Sequence, residues 1–220
     1  MKNRNQDAKD FTYYESEAGF EYDEEMKELH RSIESEHVVA LRIAIDKFKK
    51  CNLLNRPYHK RHQMRFLHFA AQTGFSEGVE LLLKGGADPN CTDKYMRTPL
   101  LVATKEGNTG AFNLLLEYGA NPHLRNTSEN TCMHVAACNG HQAMVVRLLK
   151  EKPDIFAKNV SGCTAREIAS TDEIQELLAE VEKRETYWRN RNGMLKMYLT
   201  EDSPLARLSF FVFKEVCEYA

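Results

Sequence analysis

The sequence has no long hydrophobic run. Its best candidate, Leu208 to Cys217, is short and interrupted by Lys214 and Glu215, whereas a helix crossing a bilayer needs about 20 apolar residues in succession. No membrane span is expected. A basic start followed by an apolar stretch is also missing: the opening MKNRNQDAKD is polar throughout, so no secretory leader is expected. Net charge is almost absent, −2 over 220 residues, which gives the molecule no general pull toward nucleic acid or anionic membrane. Six cysteines occur without paired spacing; they read as reduced thiols rather than a disulfide framework. A cytoplasmic protein is expected, with the nucleus as a second location. Catalytic signatures are missing as well. There is no phosphate loop, dinucleotide fingerprint or nucleophile elbow, and the Ser, His and acidic residues lack a spacing that would assemble a catalytic group. Neither enzymatic activity nor a cofactor is expected.

What is present is uneven charge and a repeat. Residues 1–36 carry eleven acidic and five basic side chains, while 47–65 carry seven Lys or Arg and no carboxylate. Such asymmetry points to surfaces with separate partners, or with each other. Self-similarity appears at a period of 33 residues. RFLHFAAQTG (65–74), TPLLVATKEG (98–107) and TCMHVAACNG (131–140) align Leu67, Leu100 and Met133, then Ala70, Ala103 and Ala136, then Gly74, Gly107 and Gly140. GGADPN (85–90), YGANPH (118–123) and EKPDIF (151–156) keep the same register, and a shortened fourth copy begins at Thr164 with TAREIAS.

These motifs resemble the ankyrin repeat, with TPLH-like, AA, LLL and GAD-N elements nearly literal over 98–123. The resemblance implies an all-α solenoid of helix-turn-helix units joined by β-hairpin-like loops. The residues supply physical reasons. Thr98 and Thr131 stand where a hydroxyl caps a helix, with Pro99 at the first helical position, where its missing N–H costs nothing. Gly74, Gly107 and Gly140 suit the left-handed residue that ends a helix. Second helices then present Val79, Leu81, Leu82 and Leu83; Phe112, Leu114, Leu115 and Leu116; and Val145, Val146, Leu148 and Leu149 as the contacts between units. The chain departs from the pattern at Arg65 and Phe66, at Leu101, at Cys132 and Met133, and at the hairpin positions Gln63, Met96 and Glu129, where glycine is usual; Gly162 keeps it.

The expected organisation is an acidic, Tyr-rich tail (1–22), a degenerate capping repeat (23–57), and repeats at 58–90, 91–123 and 124–156. A shortened repeat with a charged helix (157–192) and an apolar C-terminal helix (193–220) follow. The capping repeat reads as a helical hairpin over 25–48 with Leu29, Ile33, Val39, Leu41, Ile43 and Ile45 inward. Over 171–190 a capped helix starts at Thr171 or Asp172 and turns Ile174, Leu177, Leu178 and Val181 inward. The chain thus reads as an adaptor, scaffold or assembly subunit that binds another protein.

The resemblance implies that the partner meets the hairpin tips and inner helices. At the tips are Lys60, Arg61 and His62; Lys94, Tyr95, Met96 and Arg97; and Ser128, Glu129 and Asn130, preceded by Thr127. On the inner helices are Gln72, Lys105, Glu106, Cys138 and Asn139. Tyr95, Met96 and Arg97 stand out, because aromatic, Met and Arg side chains dominate interfaces. The basic run 47–65 suits a partner with an acidic segment; no nucleic acid is expected, because no reading element accompanies the charge. FTYYESEAGFEYDEE (11–25) alternates aromatics with carboxylates. It can lie along the basic tips and mask them, or serve as a separate docking peptide or unstructured tail.

Cys132, His134, Cys138 and His141 imitate a metal set, but the histidines are ordinary repeat residues and the spacing is that of no known finger. The final Cys217 to Ala220 imitates a prenylation box with acidic and aromatic residues where aliphatics belong. Asn126-Thr127-Ser128 and Asn159-Val160-Ser161 are glycosylation sequons, without consequence inside a cell. Asn90 resembles ankyrin asparagines that are hydroxylated. SPLARLSFFVFKEVCEYA (203–220) resembles the opening of an F-box through Leu205 and Leu208, followed by Phe210, Phe211 and Val212. That resemblance implies an alternative role, a substrate receptor of a cullin-type ubiquitin ligase docking its adaptor subunit there, against a helix that simply packs or anchors in an assembly.

Overall fold

The computed structural model describes residues 24–50, 54–57 and 62–198, with the side chains of 24–26, 48–50 and 187–198 left aside. Among these residues there are nine helices: α1 (Glu24–Glu34), α2 (Val38–Lys50), α3 (Phe66–Thr73), α4 (Ser76–Lys84), α5 (Pro99–Glu106), α6 (Thr109–Glu117), α7 (Cys132–Cys138), α8 (Gln142–Leu149) and α9 (Asp172–Tyr198). The chain divides into two compact units, Met1–Cys132 and Met133–Ala220.

In the first unit the helices start and stop where local chemistry requires. The Thr98 hydroxyl accepts the Leu101 N–H at 3.2 Å, satisfying one of the free donors at the start of α5, and Pro99 opens the helix. Helices α3 and α5 end at Gly74 (φ 79°) and Gly107 (φ 76°). At Gly74 a side chain is excluded twice over: the backbone is left-handed, and a Cβ would come within 2.8 Å of Asn108 Oδ1. Asn108 is held there because its Nδ2 donates to the carbonyls of Ala71 at 2.8 Å and Gln72 at 2.9 Å, joining the start of the second helix α6 to the end of the previous inner helix α3.

Packing follows the repeat. Helix α3 lies against α5 and α4 against α6, while each inner helix also packs on its own partner. Phe66, Ala70, Ala71, Val79, Leu82, Leu100, Ala103, Phe112 and Leu115 are all fully buried. Leu82 and Leu115, 33 positions apart, therefore belong to one apolar layer, as the period predicts. Full burial of each such side chain contributes about 1.5–3 kcal/mol.

The α1–α2 hairpin extends this layer. Helix α2 packs on α4 and α1 on α3, with Leu29, Ile33, Leu41, Ala44 and Ile45 buried and the His30 ring stacked on Phe69 at 4.2 Å. Val39 and Ile43 correct the sequence reading, for they are 63% and 52% exposed. The four apolar residues at 39, 41, 43 and 45 alternate, and alternation fits a strand; in a helix of 3.6 residues per turn they cannot all share one face. Leu41 and Ile45 take the core, and Val39 and Ile43 turn away from it.

In the second unit Val145 and Leu148 are buried on α8, whereas Val146, expected inward, is 44% exposed. The fourth copy at 164–170 forms turns, not a helix. Thr164 and Glu167 exchange bonds: the Thr164 N–H donates to Glu167 Oε2 at 2.7 Å, and the Glu167 N–H to the Thr164 hydroxyl at 3.4 Å. Ala165 and Ala169 remain buried. Ser170 donates from both its N–H and its hydroxyl to the Ala137 carbonyl, at 3.0 and 3.4 Å. The Thr171 hydroxyl accepts the Ile174 N–H at 3.4 Å and so caps α9, which buries Ile174 and Leu178 and runs on past 190 to Tyr198.

Two buried histidines tie stability to pH. His68 Nε2 meets the Arg97 carbonyl at 2.9 Å and so carries the proton, leaving Nδ1 to accept the Arg65 N–H at 3.3 Å. Both nitrogens are used in the neutral form. Burial lowers the pKa of His68 to about 4, against smaller raising effects from the Arg97 carbonyl and Asp93, and burial alone lowers that of His30 to about 4. A folded pKa below the ordinary 6.5 means that stability is fully present above 6.5 and is lost as pH falls toward 4. Urea melts at pH 7 and pH 5 are expected to differ by about 1–2 kcal/mol per histidine. His30→Gln should remove its share of that difference.

Candidate protein-binding surface

The tip between α4 and α5 belongs to no sheet, so its amides need other acceptors. Asp93 supplies them. Its Oδ1 accepts the N–H groups of Tyr95 and Arg97, both at 2.8 Å, and its Oδ2 accepts Arg97 Nε at 2.7 Å and lies 2.6 Å from Nη2. The Asp93 side chain is wholly buried. The Asp93 N–H donates to the Arg97 carbonyl and the Met96 N–H to the Asp93 carbonyl, each at 3.0 Å, which closes the turn. Met96 takes φ 55° to do so, as Gln63 (52°) and Glu129 (57°) do at their own tips, where the expected glycine is missing. A left-handed residue with a Cβ costs about 1–2 kcal/mol.

The same device recurs at Asn126, whose Oδ1 accepts the N–H groups of Ser128 at 2.9 Å and Asn130 at 3.0 Å. In the second unit Asn159 does likewise for Ser161 at 3.0 Å and Cys163 at 3.1 Å. Positions 93, 126 and 159 share the 33-residue period. That Asp/Asn register was visible in the sequence, where two of the three stood out only as sequons.

On this frame the first unit gathers its predicted tip residues. Lys94 Nζ lies 4.7 Å and Arg97 Cζ 5.0 Å from the centre of the Tyr95 ring, and the His62 ring stacks on it at 6.2 Å. The Lys94 N–H donates to the His62 carbonyl at 2.9 Å, and the Thr127 N–H to the Tyr95 carbonyl at 3.0 Å, so three successive tips are joined through the backbone. Tyr95 is 42% and Met96 54% exposed. The arrangement offers an aromatic face and a flexible thioether beside exposed positive charge, which suits carboxylates interleaved with apolar groups.

A family model described as ankyrin repeats (3 copies) matches residues 67–159 and 100–186, together more than half of the chain. The chain belongs to the ankyrin-repeat family. Among curated proteins no sequence matches it. Ankyrin repeats are protein–protein interaction modules, and no helix among the described residues is long and apolar enough to cross a membrane.

The other predicted residues fall outside the ankyrin tip cluster. Ser128 and Glu129 are exposed and Asn130 half-buried on the next tip, where Glu129 faces Arg125 at 3.7 Å. Gln72 is exposed on α3; on α5 Lys105 and Glu106 face each other at 3.7 Å. Cys138 and Asn139 are exposed in the second unit, Asn139 Nδ2 donating to the Val135 carbonyl at 2.8 Å. Lys60, Arg61, Leu205, Leu208, Phe210, Phe211 and Val212 lie outside the described residues, and the family match ends before Ser203. Cys132 is buried, its thiol pushed up to about 12 by burial and hydrogen-bonded to Thr104, while His134 Nε2 donates to the Cys163 carbonyl at 3.2 Å. Asn90 clamps the following loop, donating to the Gly119 carbonyl at 3.2 Å and accepting the Asn121 N–H at 2.7 Å. The residue that sequence reasoning missed is Asp93. Asp93→Ala is expected to lower stability by about 2–3 kcal/mol in chemical denaturation, because it strips two amides and a guanidinium of their acceptor. Asp93→Asn should lose less than half of that, since Asn126 performs the amide-holding role with an amide oxygen.

Proposed function

We propose that this ankyrin-repeat chain is an interaction module, an adaptor, scaffold or assembly subunit of the cytoplasm or nucleus. Its grip is the tip formed by His62 and Lys94 to Arg97, continued by Ser128, Glu129 and Asn130 and by Gln72, Lys105 and Glu106 of the inner helices. Cys138 and Asn139 are the corresponding contacts of the second unit. The partner presents an acidic segment with apolar side chains between its carboxylates.

One observation carries this reading: Tyr95 and Met96 stand exposed on a turn whose backbone is fixed by the buried Asp93. Large apolar side chains in water are unfavourable unless something covers them, and a fixed turn loses little freedom when a partner does so. Exposed Lys94 over the same ring sets the sign of the charge that is welcome, Arg97 being neutralised by Asp93.

Proteins retained by the full chain on a resin would be identified by mass spectrometry and their affinity measured by calorimetry. Tyr95→Ala is expected to weaken binding by about 10–30-fold, the size of a central interface residue. Lys94→Glu should weaken it by less at physiological salt and flatten its dependence on ionic strength. Val146→Ala, at an exposed position on the second helix α8 rather than on a tip, serves as the control. Binding unchanged by both tip substitutions defeats the reading.

A further inference from the structure

The α1–α2 hairpin carries a second surface, independent of the tips. Val39 and Ile43, 63% and 52% exposed, stand one helical turn apart on α2. Arg42 is exposed between them and Lys47 one turn further on. Two β-branched residues in register on a solvent face form a narrow apolar stripe, flanked by the cations Arg42 and Lys47 with the exposed Asp46 between them.

The course of the chain says what is near it. Only Ser35 to His37 separate α1 from α2, so the helices run antiparallel, and Lys47 Nζ meets Glu28 Oε2 at 3.2 Å near the far end of the pair. The start of α1 at Glu24 therefore lies about one turn beyond Lys47 and two turns from Ile43. From Lys47 to Val39 the stripe is about 12 Å long. Residues 11–22, if extended, reach about 40 Å. That segment, FTYYESEAGFEY, carries Phe11, Tyr13, Tyr14, Phe20 and Tyr22 together with Glu15, Glu17 and Glu21 and no basic residue.

We propose that residues 11–22 fold back over α2, their aromatic rings on Val39 and Ile43 and their carboxylates toward Arg42 and Lys47. Chain connectivity, reach, charge and apolar content all favour this occupant over a separate partner. It also relocates the segment from the hairpin tips, where the sequence alone allowed it to lie, to the outer face of the capping hairpin. The segment then completes the end of the stack and leaves the Tyr95 tip open.

The test is a photo-cross-link in the full chain with Phe20→p-benzoylphenylalanine. The expected product is an intramolecular link to a peptide containing Val39 to Lys47. Val39→Asp with Ile43→Asp should cut its yield about tenfold. Arg42→Glu, or about 0.5 M salt with the unsubstituted α2, should lower it through charge alone and covers the case in which the double variant melts early. Links to residues 94–97, links only between two copies, no link, or a yield indifferent to all three changes would each overturn the proposal.

Discussion

An amide in a turn that joins no sheet must find an acceptor, and here a buried carboxylate or a half-buried amide side chain supplies it. Asp93 holds the N–H groups of Tyr95 and Arg97, and Asn126 and Asn159 repeat the act at the same register. The geometry of the tips depends on this one interaction. With Asp93 in place, the Arg97 carbonyl is aimed at His68, the Arg97 guanidinium is fixed over Tyr95, and the Tyr95 carbonyl is free to receive Thr127. The Asp93 tip is thereby tied to the helix before it and to the tip after it.

This has a direct bearing on recognition. An exposed aromatic on a wandering loop loses much of its binding energy to ordering, whereas one on a pre-set turn does not. Arg65 reinforces the frame from below, donating from its guanidinium to the carbonyls of Asn55 and Thr92. An arginine at a position where threonine is usual thus exchanges a local helix cap for a link between neighbouring loops.

The sequence made the repeat legible because a period is a global signal. Thr98, Pro99, Gly74 and Gly107 act as their types suggest, and Leu82 and Leu115 meet in one layer. Reading failed where one element lacked a second copy to compare with. Val39 and Ile43 were assigned inward because their alternation with Leu41 and Ile45 resembles a buried stripe, and nothing in the α2 sequence alone says which pair faces α4. The shortened copy at 164–170 settles into turns, for Thr164 and Glu167 satisfy each other and Ser170 turns back to Ala137. At the tip, Tyr95, Met96 and Arg97 were evident from residue type, while Asp93 was hidden by its polarity: a buried charge is not what a scan for contact residues seeks.

The cross-links that define the tips have short reach along the chain. His68 to Arg97 and His134 to Cys163 each span 29 positions, and Asn108 to Ala71 spans 37. Loop closure over such intervals is entropically cheap, and none of these three bonds needs a distant segment to arrive before it can form. Folding can therefore nucleate in any adjacent pair of helix pairs and spread outward, as in a one-dimensional array. Damage is local for the same reason: a lesion at one tip loosens its immediate neighbours and fades with distance along the array, so fraying from an end, rather than all-or-none collapse, is the natural way for this chain to fail.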